Sequence, residues 1–181
     1  MTEPHFQPRA LFTALDRHHV EYVLVGGYAA SQHGAMRPTK DIDVVPATTS
    51  ENLARLAAAL KELRAGIRVD DLPEGLPFDT SAEALRGMTM LNLRTAYGDL
   101  DLTFTPSGTE GYTDLIRGAT VSTVDGVTVH LAALEDVIRS KRAANRAKDL
   151  AALPELLTLA RAQHKAAHDR RRREPTKDAG R

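Results

Sequence analysis

Two short acidic stretches and one glycine pair are where this chain could do chemistry. Asp41 and Asp43 stand two apart inside an apolar run, Asp41-Ile42-Asp43-Val44-Val45. On a strand, side chains two apart share a face, so both carboxylates would project together while Ile42 and Val44 turn into the core. Like charges held that close raise each other's proton affinity unless a cation lies between them. A divalent metal is the natural partner, and Mg²⁺ prefers carboxylate oxygens together with substrate phosphate. Asp99-Leu100-Asp101-Leu102 repeats the alternation. If that strand lies beside the first, a third carboxylate joins the pair. Three carboxylates around one or two Mg²⁺ ions suit an in-line displacement at phosphorus, with a carboxylate free of metal accepting the proton of the attacking hydroxyl. Asp101, framed by Leu100 and Leu102, is the preferred third ligand. Asp99 stands closer to the turn and reads as a solvated turn residue.

Gly26-Gly27 ends one apolar run and opens a helix-like segment. Glycine lets a phosphate approach the backbone, and the free N–H groups of a helix start attract anions. Arg37 and Lys40, and later Lys141, Arg142, Arg146 and Lys148, supply cations. On a helix, residues three and four apart are neighbours, which groups Lys141 and Lys148 with Asp149. Lysine serves phosphate as a point charge and arginine grips it in a fork. A glycine turn, a surface Asp-x-Asp and a solvated basic helix face each have an ordinary structural explanation. Their succession in one chain is what points to phosphate chemistry. His18, His19, His33 and His130 have no metal-like spacing, and Ser31 has no evident His/Asp partner.

The elements that must position these groups follow from pattern. Helices are expected from Pro8 to Val20, Tyr28 to His33, the Thr48–Glu51 cap region to Ala65, Ser81 to Leu85 and Tyr112 to Arg117. Strands are expected at Glu21–Val25, Asp41–Val45, Met88–Arg94, Leu100–Phe104, Val121–Val124 and Val127–His130, the last two joined at Asp125-Gly126. Residues 69–80 carry prolines and a glycine and read as an irregular loop. From Ala132 the chain reads as helical to about Ala167, with Pro154 dividing that region or opening a second helix. The fold class is α/β (α+β), a mixed sheet flanked by helices. The organisation is a core over 1–131, a C-terminal helical part packed on it over 132–168, and a basic flexible tail over 169–181.

Composition bounds the rest. The 181 residues suffice for one core, and 42% are hydrophobic, enough to fold. Lys+Arg and Asp+Glu both number 24, so overall charge points to no partner, although the residues from Arg161 onward are basic. With no cysteine, disulfides, thiolate nucleophiles and Cys-bound zinc are excluded. No signal-like segment or membrane-length apolar run is present, and a cytoplasmic protein is expected. Aromatic residues are 4% and tryptophan is absent, which argues against a base-stacking platform.

Taken together, Gly26-Gly27, Asp41-Ile42-Asp43 and Asp101 resemble the nucleotidyltransferase superfamily with a polymerase-β-like core. The finer pattern, His33-Gly34 followed by Arg37-Pro38-Thr39-Lys40-Asp41-Ile42-Asp43, is similar to the bacterial branch of AbiEii-type and MenT-type toxins. The segment from Ser140-Lys141 through Arg146, Lys148 and Asp149 is similar to that branch too. The resemblance covers roughly residues 20 to 155. It implies transfer of a nucleoside monophosphate from an NTP with release of pyrophosphate. For the branch, it implies the tRNA 3′ end as acceptor and a cognate antitoxin as partner. By resemblance, Asp41, Asp43 and Asp101 hold Mg²⁺, with Lys141 and Asp149 completing the catalytic set. Gly26, Gly27, Arg37, Thr39, Arg146 and Lys148 contact substrate. Gly27 departs from the serine of many superfamily members, which removes one side-chain contact to phosphate.

Overall fold

The structure is a computed structural model and describes residues 5–173 of the chain. The chain runs α1 (Pro8–Arg17), β1 (Tyr22–Val25), α2 (Gly26–Gln32), β2 (Asp41–Pro46), α3 (Ser50–Glu62), β3 (Gly66–Val69), β4 (Leu72–Leu76) and α4 (Ala82–Leu85). It continues as β5 (Met90–Thr95), β6 (Gly98–Thr103), α5 (Tyr112–Gly118), β7 (Thr120–Val124), β8 (Val127–Leu131), α6 (Leu134–Ala144) and α7 (Ala147–Arg173). The strands form one eight-stranded mixed sheet in the order β4-β3-β5-β6-β2-β1-β8-β7. β2 with β6 and β1 with β8 are parallel, and the other neighbours are antiparallel.

Alternation fixes the centre of the sheet. In β2 and β6 the aspartates sit half-buried while Ile42, Val44, Leu100 and Leu102 are buried. A one-residue slip would move every carboxylate into the core, so the register is strongly specified. The buried side chains join Leu11, Phe12 and Leu15 of α1 and Leu53, Leu56 and Leu60 of α3. α3 starts at Thr49, whose hydroxyl accepts from the Asn52 N–H at 3.2 Å. The buried Asn52 amide then accepts from the Glu21 N–H and donates to the Glu21 and Ala47 carbonyls. One side chain therefore ties α3 to the entry of β1 and the exit of β2.

Two expectations change. Residues 66–76 form the β3–β4 hairpin and not a loop. Gly66 and Gly75 face each other so closely that a Cβ on either would meet backbone at 2.9 Å, and Pro73 is tolerated because β4 is an edge strand. The break between the C-terminal helices falls at Asn145 and not at Pro154. Asn145 takes the left-handed conformation at φ 51, which asparagine adopts at little cost, while Pro154 lies inside α7. Leu134, Val137, Ile138, Ala152, Leu156 and Ala160 bring both helices into the same core as the sheet. The first part of the expected tail, from 169 to Arg173, continues α7, and 174–181 lie outside the described residues. Among those described, no helix is long and apolar enough to cross a membrane.

Candidate active site

The parallel pairing of β2 with β6 sets Asp41 beside Asp99 and Asp43 beside Asp101. The result is a two-by-two block of carboxylates on one face of the sheet, with the apolar alternates on the other. β1 ends beside it, since Val25 pairs with Asp43. The chain then turns directly into α2, which starts at Gly26, two residues earlier than pattern predicts.

The glycines serve Asp43. Gly26 has φ +69, and a Cβ there would lie 2.0 Å from Asp43 Oδ2, so only glycine leaves room for the carboxylate in that backbone conformation. The Gly27 N–H donates to the same carboxylate. A Cβ on Gly27 would stand 3.0 Å from Thr39 Oγ1. The space beside Gly27 is taken by the Thr39 hydroxyl, which donates to Asp41 Oδ1 at 2.6 Å.

Burial is the largest influence on Asp43, and Asp41 and Asp101 add to it. Together they push its carboxyl up to about 7, against the pull of the Gly27 N–H and Lys141. Asp101 is also raised, by burial first and by Asp41 and Asp99, although Arg68 opposes this. Arg68 of β3 reaches across β5 and forks onto β6, with Nη1 3.0 Å from Asp99 Oδ2 and Nη2 3.0 Å from Asp101 Oδ2. Arg94 of β5 holds Asp99 Oδ1 at 3.0 Å. Asp99 is therefore a fixed member of the block and not a solvated turn residue. Asp101 Oδ1 is buried with no hydrogen-bond partner.

The α6–α7 junction faces this block. Lys141 Nζ lies 3.2 Å from Asp149 Oδ1, and Arg146 Nε lies 2.6 Å from Asp149 Oδ2. Burial works against the Asp149 charge, but the two cations hold its carboxyl below the usual range. Arg37 donates to the Lys148 carbonyl at 3.3 Å, fastening the loop before β2 to the start of α7.

Two cavities meet here and share Gly26, Asp43, Lys141 and Arg146. One, of about 290 Å³, contains Gly27, Thr39, Asp41 and Asp149 and is ringed by Arg37, Lys40 and Lys148. The other, of about 350 Å³, is lined by Thr89, Thr103, Thr105, Ser107, Thr109 and Ser140 together with apolar Met90, Leu115 and Val137 and the acidic Asp136. Every expected site residue except Asp101 lines the basic cavity. Asp101 lines neither, because its carboxylate is turned to Arg68.

This architecture has counterparts among solved structures. TM1012, a candidate nucleotidyltransferase from Thermotoga maritima, superposes with a TM-score of 0.50 at 13% identity, covering 86% of this chain and 96% of that one. The chain has the nucleotidyltransferase fold. The antibiotic-resistance factor ANT(2'')-Ia is also similar, with a TM-score of 0.49 at 15% identity over 90% of this chain and 92% of that one. No protein-family model matches the sequence, and no curated protein does.

The donors suit a hard divalent cation. They are carboxylate oxygens, one of them buried and unpartnered, and the carboxyl of Asp43 stays raised although the Gly27 N–H and Lys141 pull the other way. Among the described residues no three acidic or histidine side chains converge as a ready-made metal site. Arg68 and Arg94 escaped the sequence reading. Arg94 lay within an expected strand with no reason to single it out, and Arg68 sat at the border of a stretch read as loop. The alternation Ile67-Arg68-Val69 was the signal available.

Proposed function

We propose that this chain is a Mg²⁺-dependent nucleotidyltransferase that moves a nucleoside monophosphate from an NTP to an acceptor hydroxyl. The acceptor is the tRNA 3′ end, and the chain acts in the cytoplasm as the toxin of a pair restrained by an antitoxin. The observation that carries the enzymatic part is the β2–β6 register, which sets Asp41, Asp43 and Asp101 on one face beside the Gly26 turn. The tRNA and toxin parts rest on the resemblance of the Arg37–Asp43 and Lys141–Asp149 segments to that branch.

The two cavities divide an NTP by chemistry. Arg37, Lys40, Lys141, Arg146 and Lys148 suit the triphosphate. The uncharged hydroxyls opposite suit the nucleoside, read by hydrogen bonds rather than by stacking. Asp41 and Asp43 would hold Mg²⁺, which when bound offsets phosphate charge and favours the alkoxide of the attacking hydroxyl. Lys141, kept in place by Asp149, stands at the rim shared by both cavities and orients the α-phosphate. The acceptor oxygen bonds to the α-phosphorus, the bond from that phosphorus to the bridging oxygen breaks, and pyrophosphate leaves with the electron pair. Asp101 lines neither cavity while Arg68 holds it, so it takes the acceptor's proton or lends itself to the ion only once Arg68 releases it.

Incubation with α-labelled NTPs, Mg²⁺ and total tRNA tests this. Label entering RNA, and lost in Asp43→Asn, is expected. Label in a protein or a small molecule would move the acceptor to another class. No transfer to any acceptor, with tight binding to a partner protein, would make the chain a non-catalytic module.

A further inference from the structure

The acidic block is unevenly neutralised. On its β6 half, Asp99 has both oxygens engaged, one by Arg94 and one by Arg68, and Asp101 has one oxygen on Arg68. On its β2 half, among the described residues, no arginine forms an ion pair with Asp41 or Asp43, although Arg146 lies near enough to Asp43 to feel its charge. Asp41 has the Thr39 hydroxyl, and Asp43 has the Gly27 N–H and the field of Lys141, which is itself bonded to Asp149. Arg68 is only 24% exposed, and its partners Asp99 and Asp101 are 23% and 13% exposed. Such pairs are weakly screened, and an arginine fork placed across two carboxylates is a specific and persistent contact.

We propose that Arg68 is a positioning residue that stands in for a second divalent cation. Its fork closes the Asp99/Asp101 half of the strip with protein charge and leaves the Asp41/Asp43 half open. The chain without nucleotide therefore binds a single divalent ion tightly, at Asp41 and Asp43. Asp101 becomes available, for proton transfer or for a second ion, only when Arg68 lets go. This rests on the reading of the carboxylates as cation ligands and adds how many ions they take and what controls that number. Arg68 sits on a short strand next to the sheet edge.

A Mn²⁺ titration of the full chain without nucleotide, followed by the electron paramagnetic resonance of free Mn²⁺, reads the number directly. The wild type is expected to hold one ion per chain in its tight class. Arg68→Gln is expected to gain a second ion, at least about tenfold tighter than any second site of the wild type. Arg94→Gln, which leaves the Arg68–Asp101 contact in place, keeps the count at one. Two equally tight ions on the wild type overturn the proposal, whatever the variants do. An unchanged titration in folded Arg68→Gln overturns it as well. If Arg68→Gln does not fold, Arg68→Met, which keeps much of the side chain's length without its charge, must show the second ion or the proposal falls. No Mn²⁺ bound by any of these proteins sinks the cation reading and this proposal together, whereas one ion indifferent to Arg68 sinks this proposal alone.

Discussion

Asp43 and Asp149 line the same cavity, yet their surroundings are opposite. Asp149 has a cation on each oxygen, Lys141 and Arg146, and its carboxyl is held below the usual range. Asp43 has two carboxylates for neighbours, and its carboxyl is pushed up to about 7. A buried carboxylate with a cation on each oxygen is a structural tie, whereas a carboxyl that burial and like charges push up is a candidate functional group. Asp149 holds the α6–α7 junction over the cavity, and Asp43 faces that cavity from the acidic block.

Substituting each aspartate by asparagine is the strongest way to break that contrast. Asp43→Asn should lower transfer by roughly 10³-fold and leave the metal-free protein no less stable at pH 8. Asp149→Asn should keep measurable transfer with a raised KM, because Lys141 loses its anchor. Steady-state kinetics beside thermal melts separates the two, and equal losses in both variants would erase the distinction. Next in size is Gly26→Ala. The added methyl falls on the Asp43 carboxylate in a left-handed backbone conformation, so a loss of about 1–3 kcal/mol is expected together with most of the activity, by denaturant unfolding and the same assay. Smaller is the stability cost of Asp149→Asn, about 1–2 kcal/mol, since Arg146, 60% exposed, regains water.

The smallest effect is in pH. Between the ordinary 3.8 and about 7 the folded chain keeps a proton on Asp43 that the unfolded chain has lost. Asp43 therefore makes stability fall as pH rises through that window and level off above it. Asp149, with a lowered value, acts the other way: its contribution is present above the ordinary carboxylate range and is lost as pH falls through the depressed value. Melts in EDTA should show the first slope in the wild type and not in Asp43→Asn.

What the sequence showed and what it hid differ for a physical reason. Asp41, Asp43 and Asp101 were legible because period-two alternation makes a strand announce its own two faces. The cap at Thr49 and the turn at Asp125-Gly126 were equally local, and both are found. The β3–β4 hairpin was hidden because Pro73 and Gly75 read as breakers. Their tolerance depends on an edge position and on close backbone approach to Gly66, which only the assembled sheet supplies. Arg68 was hidden with it, for its meaning lies in a contact spanning 33 residues of chain. Pro154 misled in the other direction. The break went to Asn145, and α7 absorbed the proline.

The central proposal is that a divalent cation completes the countercharge that Lys141 gives Asp43 only in part. The carboxyl ¹³C shift of Asp43, titrated with pH in EDTA and again in saturating Mg²⁺, measures that directly. The account predicts a midpoint near 7 without the ion and one well below the ordinary carboxylate value with it. The same midpoint in both titrations would contradict it.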